Sequence, residues 1–231
     1  GKQYFYVNPL EVNPAKVHQR YDLKHVRSSR VTWFGCACCP PNVARILTSL
    51  EKYSYDISDD SNSIAIHLYL CGQIIMSDDS VWNITGKYLT DGKIEITYSG
   101  EEKDFTLRLR NPGWSTACEI RINGLRIKAE SEQGYFYILR KWKNGDTVQL
   151  KFEITAQLVY ANTYVEDDAG KVAVMRGPVV FCLEEADNGK NLSELMIGTI
   201  ESHCENSVIL NGYREHTMDS LKAMGIEMRR F

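Results

Sequence analysis

The sequence predicts a mainly β protein, with an antiparallel β-sandwich following a short helical segment. Three observations carry that expectation. From about residue 54 onward, apolar residues recur with period two in short runs. Turn signals separate the runs: Asp91-Gly92, Asn123-Gly124 and Asn144-Gly145-Asp146, of which the last two favour tight hairpin turns. Ahead of them, Val43, Ile46, Leu47 and Leu50 fall at i, i+3, i+4 and i+7, which is one face of a helix. The 231 residues suffice for one large domain or two small ones with a sizeable core.

Residues 3–12, QYFYVNPLEV, read as a strand ended by a turn at Asn8-Pro9. Residues 13–35 are polar and irregular, with Lys16, Arg20, Lys24, Arg27 and Arg30 among them. The helix then starts around Pro41, where a missing N–H costs nothing, and runs through PPNVARILTSLEKYSY. The strand runs follow in order: SIAIHLYLCGQI, KIEITYSG, DFTLRLRNPGW, ACEIRINGLRI, YFYILRKW, DTVQLKFEI and VAVMRGPVVFCLE. Short strands at this spacing suggest a sandwich. The stretch 187–231 is mixed, and MDSLKAMGIEMRRF reads as a short helix weakened by Gly225. The domain expectation is 1–53 for the helical piece, 54–159 for the sandwich, and 160–231 for a partial second sandwich or tail.

Composition narrows the class. Hydrophobic residues make 43% of the chain and charged residues 25%, as in ordinary globular proteins. The net charge is −3 and no Lys/Arg block stands out, which argues against nucleic acid or an acidic membrane surface as the main partner. No apolar run reaches the roughly 18 residues that span a bilayer. The opening GKQYFYVNPL has neither the basic start nor the apolar stretch of a signal peptide, and no Met. A partial chain is the expectation. Clustered thiols favour a reducing, cytoplasmic interior, with export open if a leader lies elsewhere.

The stretch GCACCPPN, 35–42, places Cys36, Cys38 and Cys39 within four positions. Four more cysteines (Cys71, Cys118, Cys182 and Cys204) are spread along the chain as small hydrophobes usually are. A disulfide between the neighbours Cys38 and Cys39 would need a strained ring. A metal suits thiolates better, and zinc takes them in tetrahedral sets. The cluster is short of four ligands, and His18, His25, His67, Cys71 and Glu11 have no spacing that singles one out. A nucleophilic thiolate is the third reading, since a helix N-terminus and a metal both favour that form. Packing at a tight turn is the structural alternative.

The run WFGCACCPPNVARILTSL resembles the cysteine motif of the zinc-dependent β-L-arabinofuranosidases, glycoside hydrolase family 127. YVNPLE at 6–11, LRLRNPGW at 107–114, INGLR at 122–126, WKNGDTVQLKF at 142–152 and VAVMRGPVVFCLE at 172–184 resemble segments of the same family in the same order. The resemblance covers residues 3 to about 190. It implies the last piece of an (α/α)6 catalytic barrel followed by β-sandwich domains. It implies a retaining glycoside hydrolase in which Cys38 is the nucleophile and Cys38 and Cys39 bind Zn2+, with Cys36 a bystander. Arabinofuranosides are the implied carbohydrate substrates. The other ligands and the acid/base glutamate of the family lie upstream of this motif, so the expectation is an incomplete zinc site and a chain inactive alone. A non-catalytic accessory or carbohydrate-binding sandwich is the alternative function.

Other residues weigh less. Tyr6 and Asn8 are candidates to face the sugar, against a plain strand aromatic and turn residue. Trp33, Trp114 and Trp142 read as core packing before sugar stacking. Glu101-Glu102 and Glu184-Glu185 point to opposite faces if in strands, so neither pair converges on one bond. Asp59-Asp60 and Asp167-Asp168 read as solvated loop tips, and His67 as a satisfied histidine.

Overall fold

The computed structural model describes residues 2–4, 12, 14–17, 21, 26–33, 35, 38–203, 207–214 and 224–230. The chain divides into two compact units, Gly1–Tyr53 and Ser54–Phe231.

In the first unit, Tyr4 and Val31 exchange both backbone hydrogen bonds at 2.9 Å as an isolated antiparallel bridge. Tyr4 is the described part of the strand expected over 3–12, apart from its flanking ends; residues 5–11 lie outside the described residues. Helix α1 (Pro14–Val17) contributes the buried Val17. Helix α2 (Cys39–Leu47) begins at the cysteine pair. It stops earlier than the sequence suggests, before a separate turn of helix, α3 (Glu51–Ser54). The cause is local: the Thr48 and Ser49 hydroxyls both donate to the Arg45 carbonyl at 2.9 Å, competing with the backbone ladder. The apolar residues Val43, Ile46 and Leu47 of α2 are solvent-exposed.

The second unit opens with the strands β1 (Tyr55–Ile57), β2 (Ser63–Ile66), β3 (Gly72–Ile75), β4 (Val81–Gly86), β5 (Lys93–Ser99) and β6 (Lys103–Arg110). It continues with β7 (Cys118–Ile122), β8 (Leu125–Ile127), β9 (Ser131–Glu132), β10 (Tyr135–Trp142) and β11 (Thr147–Phe152). They form two sheets, ordered β1-β2-β6-β10-β9 and β3-β4-β5-β11-β7-β8. The run SIAIHLYLCGQI is two strands, not one. The chain leaves the first sheet after β2 and joins the second at β3, and between them Tyr69 is buried with its hydroxyl donating to Arg110 O at 2.7 Å. After the β3-β4-β5 meander the chain returns to the first sheet as β6. It lies parallel to β2 there, the exception among the described strand pairs.

Alternation sets the core. β5 buries Ile94, Ile96 and Tyr98 and turns Lys93 and Glu95 outward; β11 buries Val148, Leu150 and Phe152. The sheets meet through aromatic rings. Trp82 of β4 lies 5.0 Å from Trp142 of β10, edge to face, and 5.4 Å from Phe105 of β6. The Trp142 indole donates to Phe105 O at 2.9 Å. β4 was not among the expected strand runs, although Trp82 and Ile84 alternate with Val81, Asn83 and Thr85. The Asn123-Gly124 turn between β7 and β8 has φ of 49° and 80°, as a tight hairpin turn requires.

A third sheet follows: β12 (Ala156–Tyr160), β13 (Val172–Arg176), β14 (Val179–Cys182), then helix α4 (Glu185–Asn188), β15 (Leu195–His203), β16 (Ser207–Arg214) and β17 (Met224–Arg230), ordered β12-β13-β14-β17-β16-β15. Val174, Phe181, Val208 and Leu210 form its core. The run VAVMRGPVVFCLE is a hairpin, β13 and β14 turning at Gly177-Pro178. The helix expected within 218–231 is a strand over Met224–Arg230. Met224, Ile226 and Met228 alternate with Gly225, Glu227 and Arg229, a period of two that Gly225 and the pairing with β16 favour over a helix. The Arg176 guanidinium ties this sheet to the sandwich, donating to Thr90 O at 3.3 and 3.4 Å.

Trp142→Phe keeps an aromatic ring but removes the indole donor to the buried Phe105 carbonyl. We expect a loss of about 1–3 kcal/mol in urea unfolding, with an unchanged m-value. A change under about 0.5 kcal/mol would show that this bond does not matter to the core.

Candidate functional site

The sequence places the cysteine cluster at a helix start, and the structure does the same. Cys38 is the N-cap of α2 and Cys39 its first residue, with Pro40 and Pro41 completing the first turn. Both cysteines are exposed. Their sulfurs lie 3.7 Å apart, too far for a disulfide of about 2.05 Å. Prolines carry no backbone N–H, so two of the donors that a helix N-terminus normally presents are absent here. The Asn42 side chain reaches back one turn, and its Nδ2 donates to Cys38 O at 2.9 Å. Asn42 is the residue that sequence reading missed. Its bond goes to a backbone carbonyl, for which the sequence carries no distinctive signal.

The fit to zinc can be tested on the sulfur separation. Two thiolates at Zn–S of about 2.3 Å and a tetrahedral angle lie about 3.8 Å apart. The pair therefore stands at the spacing that one such ion requires. Among the described residues, no group of three or more His, Cys, Asp or Glu side chains converges as a complete set. Cys36, Glu11, His18 and His25 lie outside the described residues, as do Tyr6 and Asn8.

The remaining candidates have structural occupations. His67 Nδ1 lies 2.7 Å from the Tyr135 hydroxyl, with the rings edge to face. Burial lowers the His67 pKa, and Arg110 and Arg108 add to this against the pull of Asp56. Cys71 donates to Gly86 O at 3.4 Å. Trp142 is fully buried and Trp114 packs against the sandwich core, while Trp33 is exposed. Glu102 is bridged by Lys141 at 2.6 Å and Lys143 at 3.2 Å. Asp60 accepts from the Ser58 hydroxyl at 2.6 Å and from Asn62 N–H at 3.1 Å, the geometry of a capped loop.

Comparison with known proteins places these segments in one sequence. Residues 1–52 match the family model described as the β-L-arabinofuranosidase, GH127 catalytic domain. Residues 63–154 match the β-L-arabinofuranosidase, GH127 middle domain, and residues 156–219 the glycoside hydrolase family 127 C-terminal domain. The last match runs beyond residue 190, where the motifs alone end. The chain is 37% identical over 199 residues to the non-reducing end β-L-arabinofuranosidase of Bifidobacterium longum subsp. longum, covering 83% of this chain and 30% of that protein. Its fold is similar to the crystal structure of a GH127 β-L-arabinofuranosidase from Geobacillus stearothermophilus T6, with a TM-score of 0.81 and 36% identity over 100% of this chain and 40% of that one. A second solved structure, a GH127 β-arabinofuranosidase, matches at a TM-score of 0.77 and 28% identity, over 100% of this chain and 39% of that one. The chain thus spans well under half the length of these relatives.

Thiol accessibility gives a direct check on the site. Burial pushes the Cys118 thiol up to about 12, so it stays protonated in mildly alkaline buffer. We expect iodoacetamide followed by peptide mass spectrometry to label Cys38 and Cys39 before Cys118, which should be the slower by about tenfold or more. Labelling of Cys118 ahead of the pair would contradict the placement of both sites.

Proposed function

The chain belongs to glycoside hydrolase family 127, and from that membership we propose that it carries the thiol pair of a retaining β-L-arabinofuranosidase centre. Cys38 is the nucleophile, and Cys38 and Cys39 are zinc ligands. The observation that carries this reading is the 3.7 Å separation of two exposed sulfurs at the start of α2. When bound, zinc supplies the deprotonated form of the sulfurs at neutral pH and a fixed position for them.

The chemistry follows from what a retaining glycosidase needs: a nucleophile and an acid/base carboxyl on opposite sides of the scissile bond. The Cys38 thiolate attacks the anomeric carbon of the arabinofuranoside. The bond from that carbon to the leaving oxygen breaks, and the oxygen takes a proton from a carboxylic acid. Water then attacks the same carbon and gives a proton to the carboxylate. The carbon–sulfur bond breaks and the thiolate returns. Two displacements at one carbon restore its configuration. Asn42 holds the Cys38 carbonyl and so the peptide that aims the sulfur. Tyr6 and Asn8 are assigned to the sugar side of the centre. The acid/base glutamate and the remaining ligands are assigned to the part of the relatives that this chain does not span.

Two measurements test the proposal. The 231-residue chain is expected to bind zinc through its sulfur pair in competition with a chromophoric chelator. Cys38→Ser and Cys39→Ser should each weaken that binding by about tenfold or more. Zinc retained equally by the double variant would sink the ligand assignment. The chain by itself should release no nitrophenol from 4-nitrophenyl β-L-arabinofuranoside. Turnover abolished by Cys38→Ser would confirm the nucleophile but overturn the assignment of the acid/base group elsewhere.

A further inference from the structure

We propose that the outer face of the first sandwich sheet is an accessory binding surface for a neutral glycan chain, seated on Tyr135 and Tyr137. The thiol pair plays no part in it. Alternation and register build the face. β10 buries Phe136, Ile138 and Trp142, so Tyr135, Tyr137 and Leu139 point outward. β6 buries Phe105, Leu107 and Leu109 and turns Arg108 and Arg110 to the same side. Register sets Tyr137 opposite Arg108 and Tyr135 opposite Arg110. On one flank, β2 and β1 continue the Arg108 row with Ala65 and Asp56. On the other, β9 places Glu132 opposite Tyr135.

Cross-strand packing covers part of these side chains and leaves the rest in water. Tyr137 is 41% exposed and Leu139 73%. With Tyr135 they line up along one strand as a patch, where scattered single residues are the usual pattern. The Tyr135 ring is held in place: its hydroxyl lies 2.7 Å from His67 Nδ1 and the two rings meet edge to face. The guanidiniums beside the rings are only loosely engaged. Arg108 reaches Asp56 at 4.0 Å, and Arg110 forms no salt bridge among the described residues.

The chemistry of the face selects the ligand. A phenol ring offers an apolar face to the C–H side of a sugar, while phenol hydroxyls and planar guanidiniums meet its hydroxyl groups. Charge selects against a polyanion. Arg108 and Arg110 are offset by Asp56 and Glu132 on the same rows. Burial lowers the His67 pKa, so the histidine adds no charge at pH 7. A charge-balanced face with exposed rings fits a neutral, hydroxyl-rich chain. Tyr135 and Tyr137 stand two positions apart on β10, about 6.8 Å, on the order of the repeat of an extended sugar chain. Arabinan is the probe because the relatives are arabinofuranosidases, a choice that rests on the family and not on the thiol assignment.

The test is affinity electrophoresis of the 231-residue chain in native gels containing arabinan, polygalacturonate or no polymer. We expect retardation by arabinan alone, unchanged as salt rises, because no ion pair carries it. Tyr135→Ala/Tyr137→Ala should weaken it by about tenfold. Tyr137→Ala alone serves if the double variant misfolds, and thermal unfolding reports on both. Cys38→Ser/Cys39→Ser should be retarded like the parent chain, which separates this site from the thiol pair. The proposal is overturned by no retardation, by equal retardation with polygalacturonate, by retardation that persists in the folded tyrosine variants, or by its loss in the cysteine variant. A dimer in sedimentation velocity that Tyr137→Ala dissociates would also overturn it, making this face a contact between copies.

Discussion

The stacking of Trp82 on Trp142 is the contact on which the sandwich depends. It joins β4 of one sheet to β10 of the other through an edge-to-face pair, with Phe105 and Tyr98 closing around it. Trp82 is fully buried and its indole N–H has no hydrogen-bond acceptor among the described residues, so its place rests on ring contacts. Trp142 adds a hydrogen bond to β6, its neighbour in the same sheet. Once these rings fix which face of each strand is inside, the outward face is fixed as well, because side chains alternate. The third sheet is attached to this body through Arg176, whose two donors meet the Thr90 carbonyl in the β4–β5 turn.

The thiol pair answers to a different constraint. A helix N-terminus offers four N–H groups, and an anionic sulfur placed there would ordinarily take some of them. Pro40 and Pro41 remove two donors and restrict the backbone that follows the sulfurs. Asn42 then anchors the Cys38 carbonyl from inside the helix. The sulfur spacing at this helix start matches that of a tetrahedral thiolate pair.

Much of the fold could be read from period and turn chemistry. The β class, the start of α2 and the Asn123-Gly124 hairpin all rest on local patterns, and local patterns are visible in sequence. What escaped was set by partners distant in the chain. SIAIHLYLCGQI carries one continuous apolar run, yet the chain changes sheets inside it. The parallel pairing of β2 with β6 depends on the chain passing through the other sheet in between. Met224–Arg230 was ambiguous alone and is decided by its ladder with β16. For the site, Cys38 and Cys39 were legible because three cysteines in four positions are uncommon. Asn42 was not, because its role is a bond to a backbone carbonyl.

Family membership gives these features a common setting: a catalytic segment followed by middle and C-terminal β domains. The central claim is that Cys38 and Cys39 act as one zinc-binding dithiol. X-ray absorption at the zinc edge of the zinc-loaded chain tests it most directly. The expected result is two sulfur scatterers per zinc at about 2.3 Å, lost in Cys38→Ser/Cys39→Ser. A first shell of nitrogen and oxygen alone, or one unchanged in that variant, would contradict it.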